Sequence, residues 1–290
     1  MIASVNGPAY LDACLGSLAS QRGDVRDEVI VVDCYGPEIQ NLIARKYPRV
    51  KLLSFRERLT IPRLRAIGIA NSTGQFVAMT EDHCIPANDW YERIVTRLDG
   101  PYSAVGGAVE NACTERLADW AAFLCDYVRF VNPVPEGEVG DVPGMNVAYK
   151  REALDCLADL LAAGRWETFL HARLRANGFR FYSDPALVVY HRKSFSIAGF
   201  LDQRFHYSRA FAGMRVEGAT TWRRVAYGTG TVVLPPLLIW RIASHVFSRR
   251  RQRRIFLTCL PLLSLFVVSW AVGECLGYLL GPGDSLLRVA

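Results

Sequence analysis

Residues 76–86, Phe76-Val77-Ala78-Met79-Thr80-Glu81-Asp82-His83-Cys84-Ile85-Pro86, decide how the rest of the sequence is read. The run opens as a short apolar segment of the kind that forms a buried strand, then stops at two acids and a histidine. Pro86 and Asn88 follow, and Asp89 to Leu98 has the pattern of a helix. In open α/β sheets ligands bind at the carboxyl ends of strands. Adjacent carboxylates there suit a hard divalent cation, and such a cation suits a phosphate. For this stretch taken alone, an acidic loop capping the next helix is the plainer alternative.

Upstream, Met1 to Val5 reads as the tail of a strand, Asn6-Gly7-Pro8 as a turn, and Leu11, Leu15 and Leu18 as one helical face. Glu28 to Asp33 is a buried-type strand ending in a carboxylate. A helix over Pro37 to Lys46, a strand over Val50 to Ser54 and a helix containing Leu64, Ile67 and Ile69 follow, closed by Asn71-Ser72-Thr73-Gly74. This β-α-β-α-β-α-β rhythm predicts an α/β fold with a parallel sheet wrapped by helices. Downstream, the pattern predicts a strand over Ser103 to Val109 containing Gly106-Gly107 and a helix over Ala118 to Val128. It predicts a loop over Asn132 to Gly144 and helices over Lys150 to Ala163 and Trp166 to Asn177. Two short strands, Phe179 to Tyr182 and Ala186 to Tyr190, precede a helix over Ile197 to Met214.

The chain has 290 residues, 51% hydrophobic and only 21% charged. The apolar excess lies at the end. Ile255 to Leu280 is long enough to cross about 30 Å of hydrocarbon. Thr229 to Phe247 is a second apolar stretch, interrupted by Pro235-Pro236, Arg241 and His245. Two domains are expected: 1–215, and a membrane-associated region 216–290 with a re-entrant or interfacial segment 229–247 and a transmembrane segment 255–280. Net charge is +6, and Arg249-Arg250-Arg251-Gln252-Arg253-Arg254 lies between the two apolar stretches. That position fits membrane-flanking charge and argues against a nucleic-acid partner. The eight cysteines form no CxxC pair, which removes zinc-knuckle and thioredoxin-type chemistry and fits the reduced thiols of a cytosolic domain.

Five stretches together resemble the inverting glycosyltransferases of family 2, which have the GT-A (Rossmann-like nucleotide-diphospho-sugar transferase) fold. Val5-Asn6-Gly7 with Leu11 and Ser17 to Gln21 is similar to the family's first strand, turn and helix. Val31-Val32-Asp33 is similar to its second strand. Arg65 to Gly68 and Gly74 to Val77 are similar to the approach to its metal motif, and Gly144 to Arg151 to its acceptor-side segment. Trp166-Glu167 with Leu174 and Gly178, then Tyr190-His191, are similar to the catalytic-base helix and the strand after it. The resemblance covers roughly Ile2 to Ala212. This chain departs from the family in three places: Glu81-Asp82-His83 where the metal motif usually ends in Asp, Glu167-Thr168 where Glu-Asp is usual, and Ile67 where Asn is usual. The first strand is shorter than the resemblance leads one to expect, so the start of the sequence is expected to lie inside a longer reading frame.

The resemblance implies transfer of a sugar, with inversion, from a nucleoside-diphosphate sugar to a lipid-linked or polysaccharide acceptor. It implies a divalent metal, Mn²⁺ or Mg²⁺, and a cell-membrane location with the catalytic domain in the cytosol; an oligomer is left open. The metal candidates are Asp82, His83 and His191. Asn6, Asp33, Arg65, Glu81 and Asp82 are the nucleotide-sugar candidates, and Met145, Asn146, Trp166 and Thr168 those on the acceptor side. Glu167 is the candidate general base. Each has a plainer alternative: a loop histidine for His83, a helix cap for Asp33, a solvated arginine for Arg65, a first-turn acid for Glu167, a surface histidine for His191, core packing for Trp166. Arg192, Lys193, Arg204 and Arg209 are candidates for a basic wall facing the diphosphate. The rival function is a catalytically silent, membrane-anchored subunit that binds sugar nucleotide or serves assembly.

Overall fold

The computed structural model describes residues 1–21 and 27–289; residue 290, the last of the expected membrane region, lies outside the described residues. β1 (Ile2–Ser4) leads into α1 (Pro8–Ala19), which starts on proline, where a missing N–H costs nothing, and buries Leu11, Cys14, Leu15 and Leu18. β2 (Ile30–Asp33) is buried at all four positions. After α2 (Pro37–Lys46) comes β3 (Lys51–Ser54), whose exposed Lys51 suits a sheet edge. Thr60 caps α3 (Ile61–Ala70), its hydroxyl accepting from the Arg63 N–H at 3.3 Å. β4 (Phe76–Glu81) turns through Asp82 and His83 into β5 (Cys84–Pro86), followed by α4 (Trp90–Leu98). Next come β6 (Ala104–Asn111), α5 (Leu117–Tyr127), β7 (Gly137–Val139) and β8 (Val147–Lys150). α6 (Arg151–Asp155), α7 (Ala158–Ala162), α8 (Glu167–Ala176) and β9 (Phe181–His191) follow. The remainder is helical: α9 (Ile197–Arg215), α10 (Thr221–Gly230), α11 (Leu234–Ser248), α12 (Arg253–Leu280) and α13 (Ser285–Arg288).

The chain divides into two compact units, Met1–Ala112 with Phe130–Arg192, and Cys113–Arg129 with Lys193–Ala290. The first holds the sheet, in the order β3-β2-β1-β4-β8-β6-β9-β5, with β7 on β9. β1 to β4 are parallel, as their rhythm predicts, with Ile2 opposite both Val31 and Thr80. β8 runs antiparallel to β4 and β6, so the whole sheet is mixed. The two strands expected over 179–190 are one, β9, carried past a register shift opposite Gly107 and Ala108. A Cβ at Gly107 would collide with the carbonyl oxygens of Leu187 and Asp184, so only glycine lets β9 bulge toward β6 without ending. The expected helix over 150–163 breaks at Cys156 and Leu157 into α6 and α7, and the loop over 132–144 contains β7.

The second unit packs α5, α9, α11 and α12 around Leu124, Phe200, Ile242, Cys259 and Phe266. Arg204, expected in a basic wall, is buried here: it pairs with Asp126 and its guanidinium lies over the Tyr207 and Trp270 rings. Gly273 and Gly277 let α12 approach the α9 backbone at Phe205 and Arg209. Pro235 and Pro236 sit in the first turn of α11, and a 3-10 turn over Thr231–Val233 joins that helix to α10, so Thr221–Ser248 is helical throughout but changes hydrogen-bond pattern just before the prolines. It lies antiparallel to α12: Arg224 Nε donates to the Tyr278 carbonyl at 2.9 Å, and the Phe247 and Phe256 rings meet at 6.1 Å.

Two glycine substitutions separate these effects. Gly107→Ala is expected to destabilise the protein by about 1–3 kcal/mol through overpacking. Gly16→Ala, on the exposed side of α1 with only the Tyr47 hydroxyl at 3.7 Å, is expected to stabilise by about 0.5–1 kcal/mol. Thermal unfolding of the purified variants checks both signs.

Candidate functional site

The parallel strands β1, β2 and β4 end side by side, and their tips bring Asn6, Asp33 and Glu81-Asp82-His83 to one edge of the sheet. Asp82 is fully buried and acts inward. Its Oδ2 accepts from the backbone N–H groups of Val5 and Asn6 at 2.8 and 2.7 Å, and its Oδ1 from Asn6 Nδ2 at 2.6 Å. Burial alone would raise its pKa. The hydrogen bond and charge of His83, with the Asn6 donors, outweigh burial and hold the carboxyl below its ordinary range.

His83 is set by that carboxylate. Its Nδ1 lies 3.1 Å from Asp82 Oδ1 and 3.1 Å from Asn6 Nδ2. Nε2 is 3.1 Å from Glu81 Oε2 and 3.2 Å from His191 Nε2. His191 arrives because β5 pairs with β9, Cys84 opposite His191, and the Arg192 N–H donates to the His83 carbonyl at 2.9 Å. Glu81, His83 and Cys84 also offer one ligand atom each within 4.8 Å of one another. The group that converges is therefore Glu81, His83 and His191, with Cys84 beside it; Asp82, expected as a ligand, has its oxygens engaged by N–H donors. Burial would raise the Glu81 pKa, but the hydrogen bond and charge of His83, then Arg65 and His191, hold it well below the carboxylate range.

Arg65, buried on α3, reaches across the site. Its Nη2 donates to Glu81 Oε1 at 2.6 Å, and its Nη1 pairs with Glu167 at the first position of α8. Its Nε is buried with no hydrogen-bond partner among the described residues. Gly144 lies so close that a Cβ there would sit 2.8 Å from Glu167 Oε2. Asp33 is buried and accepts from the N–H groups of Tyr35 and Gly36 at 3.1 and 3.2 Å, so it also anchors the start of α2. Burial raises its pKa, offset in part by those donors and the Ser4 and Ser54 hydroxyls.

The acceptor-side candidates divide. Thr168 is exposed, while Met145 and Trp166 are buried beside the Gly144–Glu167 contact in sequence. Asn146 is fully buried and its amide is used by the fold: Nδ2 donates to Ala108 and Leu187 carbonyls at 2.9 and 2.8 Å, and Oδ1 accepts from Trp90 Nε1 at 2.8 Å. The Arg65 bridge and a buried chain of Tyr149, His171 and Asp141 were not expected from sequence. The spacing of Glu167 and His171, four apart and hence on one helix face, is the one sequence signal that could have drawn attention to the second.

This sheet order, with acids and histidines at the strand tips, defines a GT-A glycosyltransferase. Similar solved structures include the mannosyltransferase PcManGT from Pyrobaculum calidifontis in complex with GDP-Man and Mn²⁺, at 18% identity and a TM-score of 0.57, over 94% of this chain and 85% of that one. TarS 1–349 from S. aureus is 12% identical with a TM-score of 0.54, over 94% and 88%. GalNAc-T7 with UDP, GalNAc and Mn²⁺ is 16% identical with a TM-score of 0.53, over 67% of this chain and 43% of that one. At these identities the likeness speaks for the fold. No curated protein matches the sequence. Residues 1–158 match glycosyl transferase family 2, more than half of the chain, and the chain belongs to that family.

Asp82→Asn leaves one acceptor oxygen where two now serve Val5, Asn6 and His83, so an amide N–H meets a donor on one side. The expected loss is about 1–3 kcal/mol at neutral pH. Because the folded pKa is depressed, the wild-type contribution is complete above the ordinary carboxylate value and is lost as pH falls through the lowered one. The gap between variant and wild type is therefore expected to close in acid. Melting curves in EDTA from pH 7 to 3 check this, and equal stability at pH 7 contradicts the bracing role.

Proposed function

We propose that the first unit transfers a sugar from a nucleoside-diphosphate sugar with inversion, using a divalent metal and Glu167 as general base. The observation that carries this is the Arg65 bridge, which joins an acid of the strand-tip cluster to the acid that opens α8. One carboxylate and two imidazole nitrogens are a fitting donor set for Mn²⁺, and less so for Mg²⁺, which prefers oxygen. Glu81, His83 and His191 would hold it, where its charge offsets that of the departing diphosphate.

Glu167 takes the proton from the acceptor hydroxyl while that oxygen attacks the anomeric carbon. The bond from that carbon to the diphosphate oxygen breaks, and its electron pair leaves with the diphosphate. Arg65, with a buried Nε–H to spare, is suited to receive phosphate oxygens. Asp33 is suited to accept an N–H of the base, and Asn6 lies beside the same tips. A second reading, a catalytically silent sugar-nucleotide-binding subunit, is favoured by one observation: the ion pair with Arg65 makes Glu167 a weaker base.

The acceptor in this reading is a lipid-linked sugar or growing polysaccharide, and the site faces the cytosol. Membrane attachment rests on Thr221–Ser248 and Arg253–Leu280, each long and apolar enough to cross. We favour both lying in the plane of one leaflet. They pair along their length, and the other flank of α12 is covered by α9, whose Asp202 side chain is 68% exposed and which also carries Arg209 and Arg215. A crossing α12 would take Asp202, whose neighbour Leu201 meets α12 at Ser269, into hydrocarbon, whereas Arg209 and Arg215 meet the end of α12 at Gly281 and Tyr278. Exposed Trp222, Val232, Val233 and Trp240 then face lipid. This reading replaces the single span expected over 255–280 and keeps the arginine run in the cytosol.

Three measurements test these points. With Mn²⁺ and a panel of UDP-, GDP- and dTDP-sugars, turnover is expected, and EDTA is expected to abolish it; donor binding without turnover supports the silent subunit. Glu167→Gln is expected to lower turnover by about 10²–10⁴-fold with nucleotide affinity nearly unchanged. Cysteines placed at Ser248 and Asp284 are expected to label from the cytosolic side alike; labelling from opposite sides means α12 crosses.

A further inference from the structure

α8 presents Glu167, His171 and Arg175 at intervals of four, hence on one face, and the loop 140–144 runs along it in the opposite sense. Gly144 abuts the Glu167 carboxylate, Asp141 Oδ1 lies 2.5 Å from His171 Nδ1, and the Gly140 carbonyl accepts from Arg175 Nη1 at 2.5 Å. On its far side, His171 Nε2 lies 2.6 Å from the Tyr149 hydroxyl. Tyr149 and His171 are both buried, and the Phe181 ring closes edge-on over the imidazole at 5.0 Å. Tyr149 sits in β8 opposite Val77 of β4, the strand whose tip carries Glu81.

Burial first, and the Asp141 charge after it, push the Tyr149 phenol well above its ordinary pKa against the opposing pull of Arg65. The phenol therefore stays neutral and shares one hydrogen with Nε2, while Nδ1 faces the Asp141 carboxylate, so both imidazole nitrogens are engaged.

We infer that His171 is a positioning residue for Glu167: clamped between Asp141 and Tyr149, it fixes the rotation of α8 and so the place of the base relative to the metal-side strand β4. The inference rests on the reading of Glu167 as the base. A helix that turns about its axis moves a carboxylate by an ångström or more, and displacement of that size can cost about a hundredfold in rate. His171 and Tyr149 lie on α8 and β8, elements that carry none of Glu81, His83 and His191, so metal and nucleotide binding is expected to depend on them little.

The test uses the full chain, the sugar nucleotide that the wild type turns over, Mn²⁺, and the corresponding nucleoside diphosphate as binding probe. His171→Gln is expected to lower turnover by about 10–100-fold while nucleoside-diphosphate affinity changes less than about twofold. Asp141→Asn and Tyr149→Phe, which keep volume and remove one interaction each, are expected to lower turnover by smaller factors with the same unchanged binding; Tyr149→Phe carries the test if the glutamine variant does not fold. In the Glu167→Gln background, His171→Gln is expected to add no further loss, because there is no base left to misplace. Losses that multiply in the double variant, or nucleotide affinity that falls in step with turnover, overturn the inference and leave a structural role only. Full turnover in Glu167→Gln alone overturns the base assignment itself, and that result is distinct from full turnover in the His171 and Tyr149 variants beside an impaired Glu167→Gln.

Discussion

A single buried carboxylate holds the site's two loops together. Asp82 takes both backbone N–H groups of the turn after β1 and the side-chain amide of Asn6. It ends β4 and gathers the β1–α1 turn in the same contact, across 76 and 77 residues of sequence. An ionised group is costly to bury, and this one is compensated by three donors plus the imidazole beside it. The compensation is also what orients His83, so that imidazole is as well placed as the turn that holds Asp82. Structure and chemistry are joined here by one side chain that itself points inward.

The second joint is Arg65. A guanidinium has enough donors in a fixed plane to engage two acids at once, which a lysine does not offer in the same geometry. By pairing with Glu81 and Glu167 it keeps two carboxylates from facing each other unscreened in a buried setting. In the proposed reaction the same pairing would temper Glu167 as base. A substrate phosphate that draws Arg65 toward itself would weaken the hold on Glu167, linking donor binding to base strength through one residue.

Much of the first unit was legible in the sequence because short buried parallel strands leave apolar runs that end in polar tips, as at Val31-Val32-Asp33 and Met79-Thr80-Glu81. His191 was legible as a strand-end histidine. Its meeting with His83 depends on β5 pairing with β9, a contact 108 residues apart that no local pattern encodes. Asn146 lay in a segment that resembles an acceptor site, yet its amide is used wholly by backbone and Trp90; residue type alone cannot tell a buried tie from a displayed one. The strand over 179–190 read as two because Asp184 and Pro185 look like an ending, and only the side-chain-free face of Gly107 lets the strand continue. Pro235-Pro236 read as an interruption, and the α-helical run does give way to a 3-10 turn just before them; the prolines then fit the first turn of α11, which has no N–H bond for proline to remove.

The way the second unit is assembled has a consequence for synthesis. Its α5 is made early, but the core it joins needs Phe200, Cys259 and Phe266, which lie from about 75 to more than 140 residues further on. Meanwhile the chain must return to the first unit to supply β8, α8 and β9, without which β4 and β6 lack a neighbour. Neither unit can close in order along the chain. A growing chain therefore carries an apolar helix face, Ala121, Leu124 and Cys125, uncovered through most of its emergence, and α12, the last long helix to appear, is the one that covers it. Late-covered apolar surface is where chaperones and membranes compete with self-association.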